Sequence, residues 1–164
     1  MLLNEETFTK ILRSNKGILY KVANSYCKNT NDREDLIQEI IIQLWKAWPK
    51  YDDTYKVSTW MYRIALNVAI SFYRKSNYQR NKYDTFNENL VSTVHKESSD
   101  STENIEQLYH FIAQLSELNK ALILLYLEKY SYEEIGTTLG ISTTNVATKI
   151  SRIKKQLKEK FNNN

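Results

Sequence analysis

The stretch Ser131–Arg152, SYEEIGTTLGISTTNVATKISR, has the pattern of two short helices joined by a tight turn. Ser131 and Glu134 have the spacing of a capping box, in which each side chain accepts a hydrogen bond from the other residue's backbone amide. Gly140 follows the first helix, where a positive φ closes a helix without strain. The second helix has three candidate N-cap residues, Ser142, Thr143 and Thr144. These local signals predict a helix-turn-helix.

The second helix of this motif separates its apolar residues from its polar ones. Its apolar residues fall on one narrow face, Val146, Ile150, Ile153 and Leu157. Its outward side chains are polar or basic, Thr144, Thr148, Ser151, Arg152 and Lys155. A free outward face is what a recognition helix needs to enter a major groove, and a basic tail follows it. The same residues also fit an ordinary helical hairpin with a solvated basic face.

Composition favours an all-α protein. Three glycines and one proline in 164 residues supply few turns for a β fold. The single Cys27 has no internal disulfide partner, and the two histidines lie far apart, so we expect no metal site and no cofactor. The longest apolar run, Ala121–Leu127, is too short to span a bilayer. The N-terminus lacks a basic flank followed by an apolar stretch, so we expect no signal peptide.

Charge divides the chain into three parts. Residues 1–84 carry 14 basic and 9 acidic side chains, residues 85–115 carry 1 and 5, and residues 116–164 carry 8 and 5. The acidic middle part is rich in Asn, Ser and Glu and has little to bury. We therefore predict two small helical domains, residues 1–81 and 104–164, joined by a flexible linker over residues 82–103.

The first domain has the periodicity of three helices. A first helix is predicted over residues 5–27, with a weak point at Gly17. A second is predicted to begin at Asn31 or the next residue, because Asn31 and Glu34 fit a variant capping box, and to end before Pro49. A third begins near Ser58 and, with apolar residues on two sides, is expected to be the central helix of the bundle.

The outer face of the second helix is unusual for a solvated surface. Apolar and acidic residues share it, Asp35, Gln38, Glu39, Ile42 and Trp45. Apolar side chains ringed by carboxylates and an amide are typical of a docking patch for another protein. A further helix of this chain that covers Ile42 and Trp45 explains the pattern equally well.

The third helix carries a narrow polar strip beside its apolar faces. It consists of an aromatic, two basic and two small polar residues, Trp60, Arg63, Asn67, Ser71 and Arg74. Such a row suits single-stranded DNA, since bases stack on an indole while arginines hold phosphates. The preceding loop, residues 49–57, can receive a base removed from its stack. The simpler interpretation buries Trp60 in the core and leaves the arginines in water.

Taken together, these segments resemble a bacterial RNA polymerase sigma factor of the extracytoplasmic-function (ECF) type. The stretches that carry the resemblance are DREDLIQEIIIQLW (32–45), STWMYRIALN (58–67), LSELN (115–119) and the helix-turn-helix. Their order and spacing are similar to the second and fourth conserved regions of that family. The resemblance implies a sigma-two helical bundle and a sigma-four helix-turn-helix domain.

The resemblance also implies roles for individual residues. Polymerase binding is implied for Asp35, Gln38, Glu39, Ile42 and Trp45. Contact with the minus-ten DNA is implied for Tyr51, Asp53, Tyr55, Lys56, Trp60, Arg63, Asn67 and Arg74. Contact with the minus-thirty-five DNA is implied for Thr144, Thr148, Lys149, Ser151, Arg152 and Lys155.

Two positions of the recognition helix depart from the family pattern. Ala147 stands where a basic residue is common, and Lys149 replaces a frequent arginine. Lysine lacks the planar fork that reads a guanine through two hydrogen bonds. Arg152 is therefore the best candidate for a specific base contact. The loop at residues 51–56 is poorly matched, which leaves its base preference open.

The function implied is that of a transcription initiation factor without enzymatic activity. Its partners would be the RNA polymerase core, at the clamp of the beta-prime subunit, promoter DNA and an anti-sigma factor, with no small-molecule substrate. It would act in the cytoplasm and lie on the nucleoid when bound to polymerase. Two other functions compete: a dimeric regulator with a helix-turn-helix output, and an enzyme on nucleic acid such as a recombinase.

Overall fold

The computed structural model describes residues 4–83 and 100–162 of the chain. The described residues form α-helices and one short 3-10 helix, with no strand among them, which confirms the all-α prediction. The N-terminal bundle consists of α1 (Glu5–Ser14), α2 (Lys16–Tyr26), α3 (Thr30–Ala47) and α4 (Val57–Tyr83), with the 3-10 helix Trp48–Lys50 between α3 and α4. The C-terminal bundle consists of α5 (Asp100–Ala113), α6 (Glu117–Leu127), α7 (Tyr132–Leu139) and α8 (Thr143–Asn162).

Helix α4 is the centre of the N-terminal bundle, as its two apolar faces predict. It packs against both α2 and α3. The contact buries apolar residues from all three helices completely, among them Val22, Ala23, Leu36, Ile40, Ala65, Leu66 and Ala69. Burial of this kind stabilises a bundle by roughly 1.5–3 kcal/mol for each large aliphatic side chain. Packing of the inner faces therefore determines which residues of α3 and α4 lie on the outer surface.

The prediction of one long helix over residues 5–27 is wrong. The chain breaks at Asn15, whose side-chain amide and backbone N–H both donate to the carbonyl of Ile11, at 2.9 and 3.1 Å. These bonds close the end of α1, and a new helix starts at the next residue. Gly17 lies inside α2 with open space around it, so it is not the weak point.

The predicted start of α3 at Asn31 is also wrong. Asn29 is the N-cap, since its side-chain oxygen accepts from the backbone N–H of Asp32 at 2.7 Å. Its amide donates to the carboxylate of Asp32 at 2.6 Å, which forms a reciprocal pair two residues earlier than the Asn31 and Glu34 spacing suggests. Arg33 secures the entry, because its Nε donates to the carbonyl of Cys27 at 3.0 Å.

The helix-turn-helix is confirmed in its local detail. Ser131 and Glu134 form the predicted capping box, and Gly140 closes α7 with φ +70°. Of the three candidate caps of α8, Ser142 accepts from the backbone N–H of Asn145 at 3.1 Å. Gly136 has a role that the sequence analysis missed: a Cβ there would lie 2.7 Å from the carbonyl oxygen of Ile141. The turn therefore needs a glycine inside α7 as well as one at its end.

The two bundles pack against each other. Helices α2 and α4 contact α5, α6 and α7. Helix α4 runs to Tyr83 and α5 begins at Asp100, so helices enter the expected linker, residues 82–103, from both sides. The rest of that segment lies outside the described residues. In the part of the chain that the structure describes, no helix has the length and apolar character needed to cross a bilayer.

Candidate functional site

The outer face of α3 is open to solvent in the described structure. Ile42 and Trp45 are 45% and 46% exposed, so no helix among the described residues covers them. Asp35 and Gln38 are exposed beside them. Glu39 is half-buried, and its carboxylate accepts from the side-chain amide of Gln43 at 2.7 Å. The face therefore joins an apolar centre to an acidic and amide border.

Trp45 is oriented before any partner arrives. Its ring meets that of buried Phe8 edge to face, with the centroids 5.0 Å apart. Phe8 is held in turn against Trp48, at 5.6 Å between ring centroids. A side chain fixed in this way loses little conformational entropy on binding. The arrangement suits the anchoring residue of a protein interface, where tryptophan is enriched.

The strip on α4 is mostly accessible to solvent. Trp60 lies partly in the core and partly at the surface, so each of its two predicted environments holds in part. Arg63, Asn67 and Ser71 are exposed. Trp60 is half-buried in an aromatic cluster, with its ring 5.9 Å from Trp48 and 5.0 Å from Tyr51. One part of the indole thus packs in the bundle, and the remaining part is available beside Arg63.

The loop that precedes α4 is held in a defined shape next to Trp60. The ring of Tyr51 stacks on Trp48 with a 5.4 Å centroid separation and an 8° interplanar angle. Its hydroxyl donates to the carbonyl of Tyr55 at 2.7 Å, and Asp52 accepts from the backbone N–H of Thr54 at 3.0 Å. Burial, followed by the nearby carboxylates of the loop, raises the pKa of Tyr51, so its phenol stays protonated and keeps the bond.

Three other predicted side chains of this loop point to solvent. Asp53 and Lys56 are exposed, and Tyr55 is 63% exposed. The packed ring of Tyr51 therefore forms the floor of the loop, while the exposed ring of Tyr55 lies at its rim. Together with Trp60 they offer π faces at which an unstacked base can lie.

Arg74 has a partner that sequence reasoning did not find. Its Nε donates to Oε1 of Glu117, the first residue of α6, at 3.0 Å. The pKa of Glu117 is lowered by its own backbone N–H and then by Arg74, so the carboxylate stays charged. The two residues are 43 positions apart, beyond the reach of any helical pattern. Arg63 and Asn67 are thus open, whereas Arg74 is engaged.

The outer face of α8 carries the predicted polar residues. Thr144, Ser151, Arg152 and Lys155 are exposed, while Val146, Ile150 and Ile153 are buried beneath them. Thr148 is exposed, and its hydroxyl donates to the carbonyl of Thr144 at 3.0 Å. Lys149 is only half-buried and lies at the border of the face. Arg152, the predicted base-reading side chain, is therefore exposed, whereas Lys149 is partly covered.

A buried lysine between the bundles was also missed. Lys120 is 2% exposed, and its ammonium lies 4.6 Å from the ring centroid of Tyr73 and 5.3 Å from that of Tyr26. Burial lowers its pKa, since the charged form loses its water. The only signal in the sequence was weak, since Lys120 directly precedes the apolar run Ala121–Leu127.

Comparison with known proteins gives a consistent result for both bundles. The family model described as Sigma-70 region 2 matches residues 11–78, and the model Sigma-70, region 4 matches residues 105–157. The chain is 27% identical over 151 residues to the ECF RNA polymerase sigma factor SigX of Bacillus subtilis, covering 88% of this chain and 78% of that protein. It is 26% identical over 161 residues to SigM of the same organism, covering 95% and 96%.

A solved structure has the same fold. It is the sigma factor RpoE in complex with the anti-sigma factor NepR from Bartonella quintana. The two match with a TM-score of 0.73 at 21% identity, over 94% of this chain and 96% of the other. The match extends across both bundles.

Proposed function

This chain belongs to the sigma-70 family as an ECF sigma factor with regions 2 and 4, and from that premise we propose how its residues divide the work. A sigma factor binds the polymerase core and directs it to promoters. It catalyses no covalent step. Membership of this family decides against the dimeric regulator and the recombinase.

The outer face of α3 is, in this proposal, the surface that binds the polymerase clamp. The observation that carries the assignment is the exposure of Ile42 and Trp45, at 45% and 46%, in a helix whose other large apolar residues are covered. An exposed indole braced from below by Phe8 provides a rigid anchor. Asp35 and Gln38 at the border then set the orientation through polar contacts.

The strip on α4 and the loop before it would capture the minus-ten strand. Opening each base pair costs a few kcal/mol, which stacking and phosphate contacts offset. Trp60 and the two loop tyrosines, Tyr51 and Tyr55, offer the stacking faces, and Arg63 with Asn67 holds the strand beside them. Because Tyr51 is fixed by its bond to Tyr55, the loop is preorganised for this contact.

The exposed face of α8 would read the minus-thirty-five duplex. Arg152 has the fork that pairs with guanine, and it is unobstructed. Lys155 and Ser151 lie beside it for phosphate contacts. Lys149, at the border of the face, contributes charge more than base readout. Binding of α8 to the upstream duplex raises the effective concentration of the N-terminal bundle at the downstream site.

Two further assignments follow from the relatives. The matched RpoE structure is a complex with an anti-sigma factor, and we extend this class of partner to the present chain. We also propose that the protein is cytoplasmic and lies on the nucleoid when it is bound to polymerase.

The docking assignment is tested by co-migration with purified core polymerase. We expect Gln38→Ala with Trp45→Ala to weaken the complex by about 2 kcal/mol, or about thirtyfold, as loss of a buried aromatic anchor does. The control is Tyr20→Ala, which removes an aromatic side chain of similar exposure, 54%, from α2. Undiminished binding by the double variant would contradict the assignment.

A further inference from the structure

A polar cavity lies where the start of α4 faces the turn between α6 and α7. Residues from both segments line it, among them Lys56, Ser58, Tyr62, Glu128, Lys129 and Tyr130. Its volume is about 330 Å³, within the range of roughly 300–1,000 Å³ that is typical of sites for small molecules. Apart from the minus-ten role proposed for Lys56, the functions proposed above leave this cavity unused.

The hydroxyl of Tyr62 is a buried donor at this cavity. Tyr62 is 2% exposed, and its ring packs edge to face against that of Tyr130, with the centroids 5.9 Å apart. Burial and then the nearby Glu128 raise the pKa of Tyr62, but its hydroxyl has no hydrogen-bond partner among the described residues. The phenol therefore keeps its proton. Because an unpaired buried hydroxyl is unfavourable, its position beside a cavity indicates a ligand that accepts from it.

The first turn of α4 supplies further donors. Lys56 precedes the helix, and its carbonyl accepts from the backbone N–H of Trp60 at 3.1 Å. A lysine side chain has no acceptor, so it cannot cap the first-turn amides as serine or aspartate does. Such amides at the positive end of a helix bind anions, phosphate groups among them. Ser58 lies in this turn and lines the cavity, so the N-terminus of a 27-residue helix faces it.

The charged side chains around the cavity also favour an anion. Neither Lys56 nor Lys129 forms an ion pair with a described residue. The two carboxylates that line the cavity are already engaged. Glu128 accepts from the ammonium of Lys21, and Glu134 accepts within the capping box of α7. Two ammonium groups therefore remain to neutralise a ligand.

We propose that this cavity binds the phosphate group of a small phosphorylated molecule. The phosphate lies at the start of α4, where it accepts from the first-turn amides, from the hydroxyl of Tyr62 and from the ammonium of Lys129. The rest of the ligand contacts the rings of Tyr62 and Tyr130, since the cavity is larger than one phosphate group. The site does not depend on the surfaces proposed above for polymerase and promoter DNA.

The experiment is isothermal titration of the full-length protein at fixed ionic strength with inorganic phosphate, adenosine monophosphate and adenosine. We expect the two phosphates to bind and adenosine not to bind. Tyr62→Phe removes only the hydroxyl and should weaken binding of adenosine monophosphate by about tenfold. Lys129→Gly should do the same without backbone strain, because Lys129 has φ +63°, which glycine adopts readily. The matched control is Lys75→Ala, which removes a lysine from an exposed position of α4.

Two results of the titration would overturn the proposal. One is failure of both phosphates to bind the unmodified protein. The other is equal affinity in all three variants, which would indicate attraction to the basic surface in general. Thermal unfolding is the check on folding, since loss of an unpaired hydroxyl should not lower the Tm of Tyr62→Phe. A lower Tm would show that the hydroxyl is bonded within the protein, and would count against the site.

The other source of a phosphate group is the promoter strand. Fluorescence anisotropy with a labelled single strand of roughly 12 nucleotides separates the two sources. We expect Tyr62→Phe to leave the affinity for the strand unchanged while it weakens that for adenosine monophosphate. If both affinities fall together, the cavity belongs to the strand and the small-molecule assignment is refuted. Failure of the minus-ten assignment would appear separately, as undiminished strand affinity in Arg63→Ala.

Discussion

The outer face of α3 and the strip on α4 belong to the same bundle but differ in what determines them. The α3 face is set by one helix and by the core beneath it, and it is open in the described structure. The α4 strip shares its helix with a contact to α6, so part of it is engaged. The exposure of a surface built from neighbouring residues can thus be inferred from periodicity. The exposure of a surface that meets a segment distant in sequence cannot.

The largest expected effect is a difference in stability between two substitutions within α3. Ile40 is fully buried and Ile42 is 45% exposed, two residues further along the same helix. We expect Ile40→Ala to lower the free energy of unfolding by about 2–5 kcal/mol through lost burial and a residual cavity. Ile42→Ala should leave stability nearly unchanged and weaken core binding. Chemical denaturation measures the first quantity and co-migration the second; similar stability losses in both variants would show that the α3 face is part of the core.

A smaller effect is expected at two glycines, one in each bundle. A Cβ at Gly136 would lie 2.7 Å from a backbone oxygen, whereas one at Gly17 would meet open space. We expect Gly136→Ala to destabilise the C-terminal bundle by about 1–3 kcal/mol, because backbone must shift. Gly17→Ala should stabilise by about 0.4–1 kcal/mol, since it restricts only the unfolded chain. Thermal unfolding checks the pair, and equal effects would mean that the turn geometry is wrong.

The smallest effect is a dependence of the contact between the bundles on pH. The pKa of Glu117 is lowered first by its own backbone N–H and then by Arg74, and burial lowers the pKa of Lys120, so the packed bundles bind fewer protons than separated ones. The contact is therefore constant near neutrality and weakens as the pH falls below the ordinary value for glutamate, about 4.3, through the lowered pKa of Glu117. Small-angle scattering between neutral and acidic pH should show expansion only at the acid end, and an earlier loss of secondary structure by circular dichroism would assign it to unfolding. Expansion already near pH 6 would point to another group.

Local signals were enough for the helix-turn-helix and for the existence of α3 and α4. Both features of the turn were correctly predicted, the capping box at Ser131 and Glu134 and the positive φ at Gly140. All three residues lie within ten positions of one another. The start of α3 was mistaken because both Asn29 and Asn31 precede an acidic residue by three positions. The structure selects Asn29, whose side-chain oxygen accepts from the backbone N–H of Asp32, and Arg33 bonds back to the carbonyl of Cys27 beside it.

The break between α1 and α2 and the partner of Arg74 could not be predicted from the sequence, for other physical reasons. A side chain that bonds back to its own helix, as Asn15 does, competes with the ladder in a way that periodicity does not record. The pair between Arg74 and Glu117 joins residues from separate bundles, so it depends on how the two are seated. Lys120 was visible in the sequence as a charge at the edge of an apolar run, but its aromatic partners were not.

The division of labour between α3 and α4 is tested most directly by transcription in vitro with core polymerase, using increasing amounts of two variants on one mapped promoter. Trp45→Ala is expected to regain full activity at high sigma concentration, because its defect lies in binding the core. Trp60→Ala should saturate at a low level of open complex, because its defect lies in holding the melted strand after the core is bound. If excess protein rescues Trp60→Ala and leaves Trp45→Ala inactive, the two surfaces have been assigned the wrong way round.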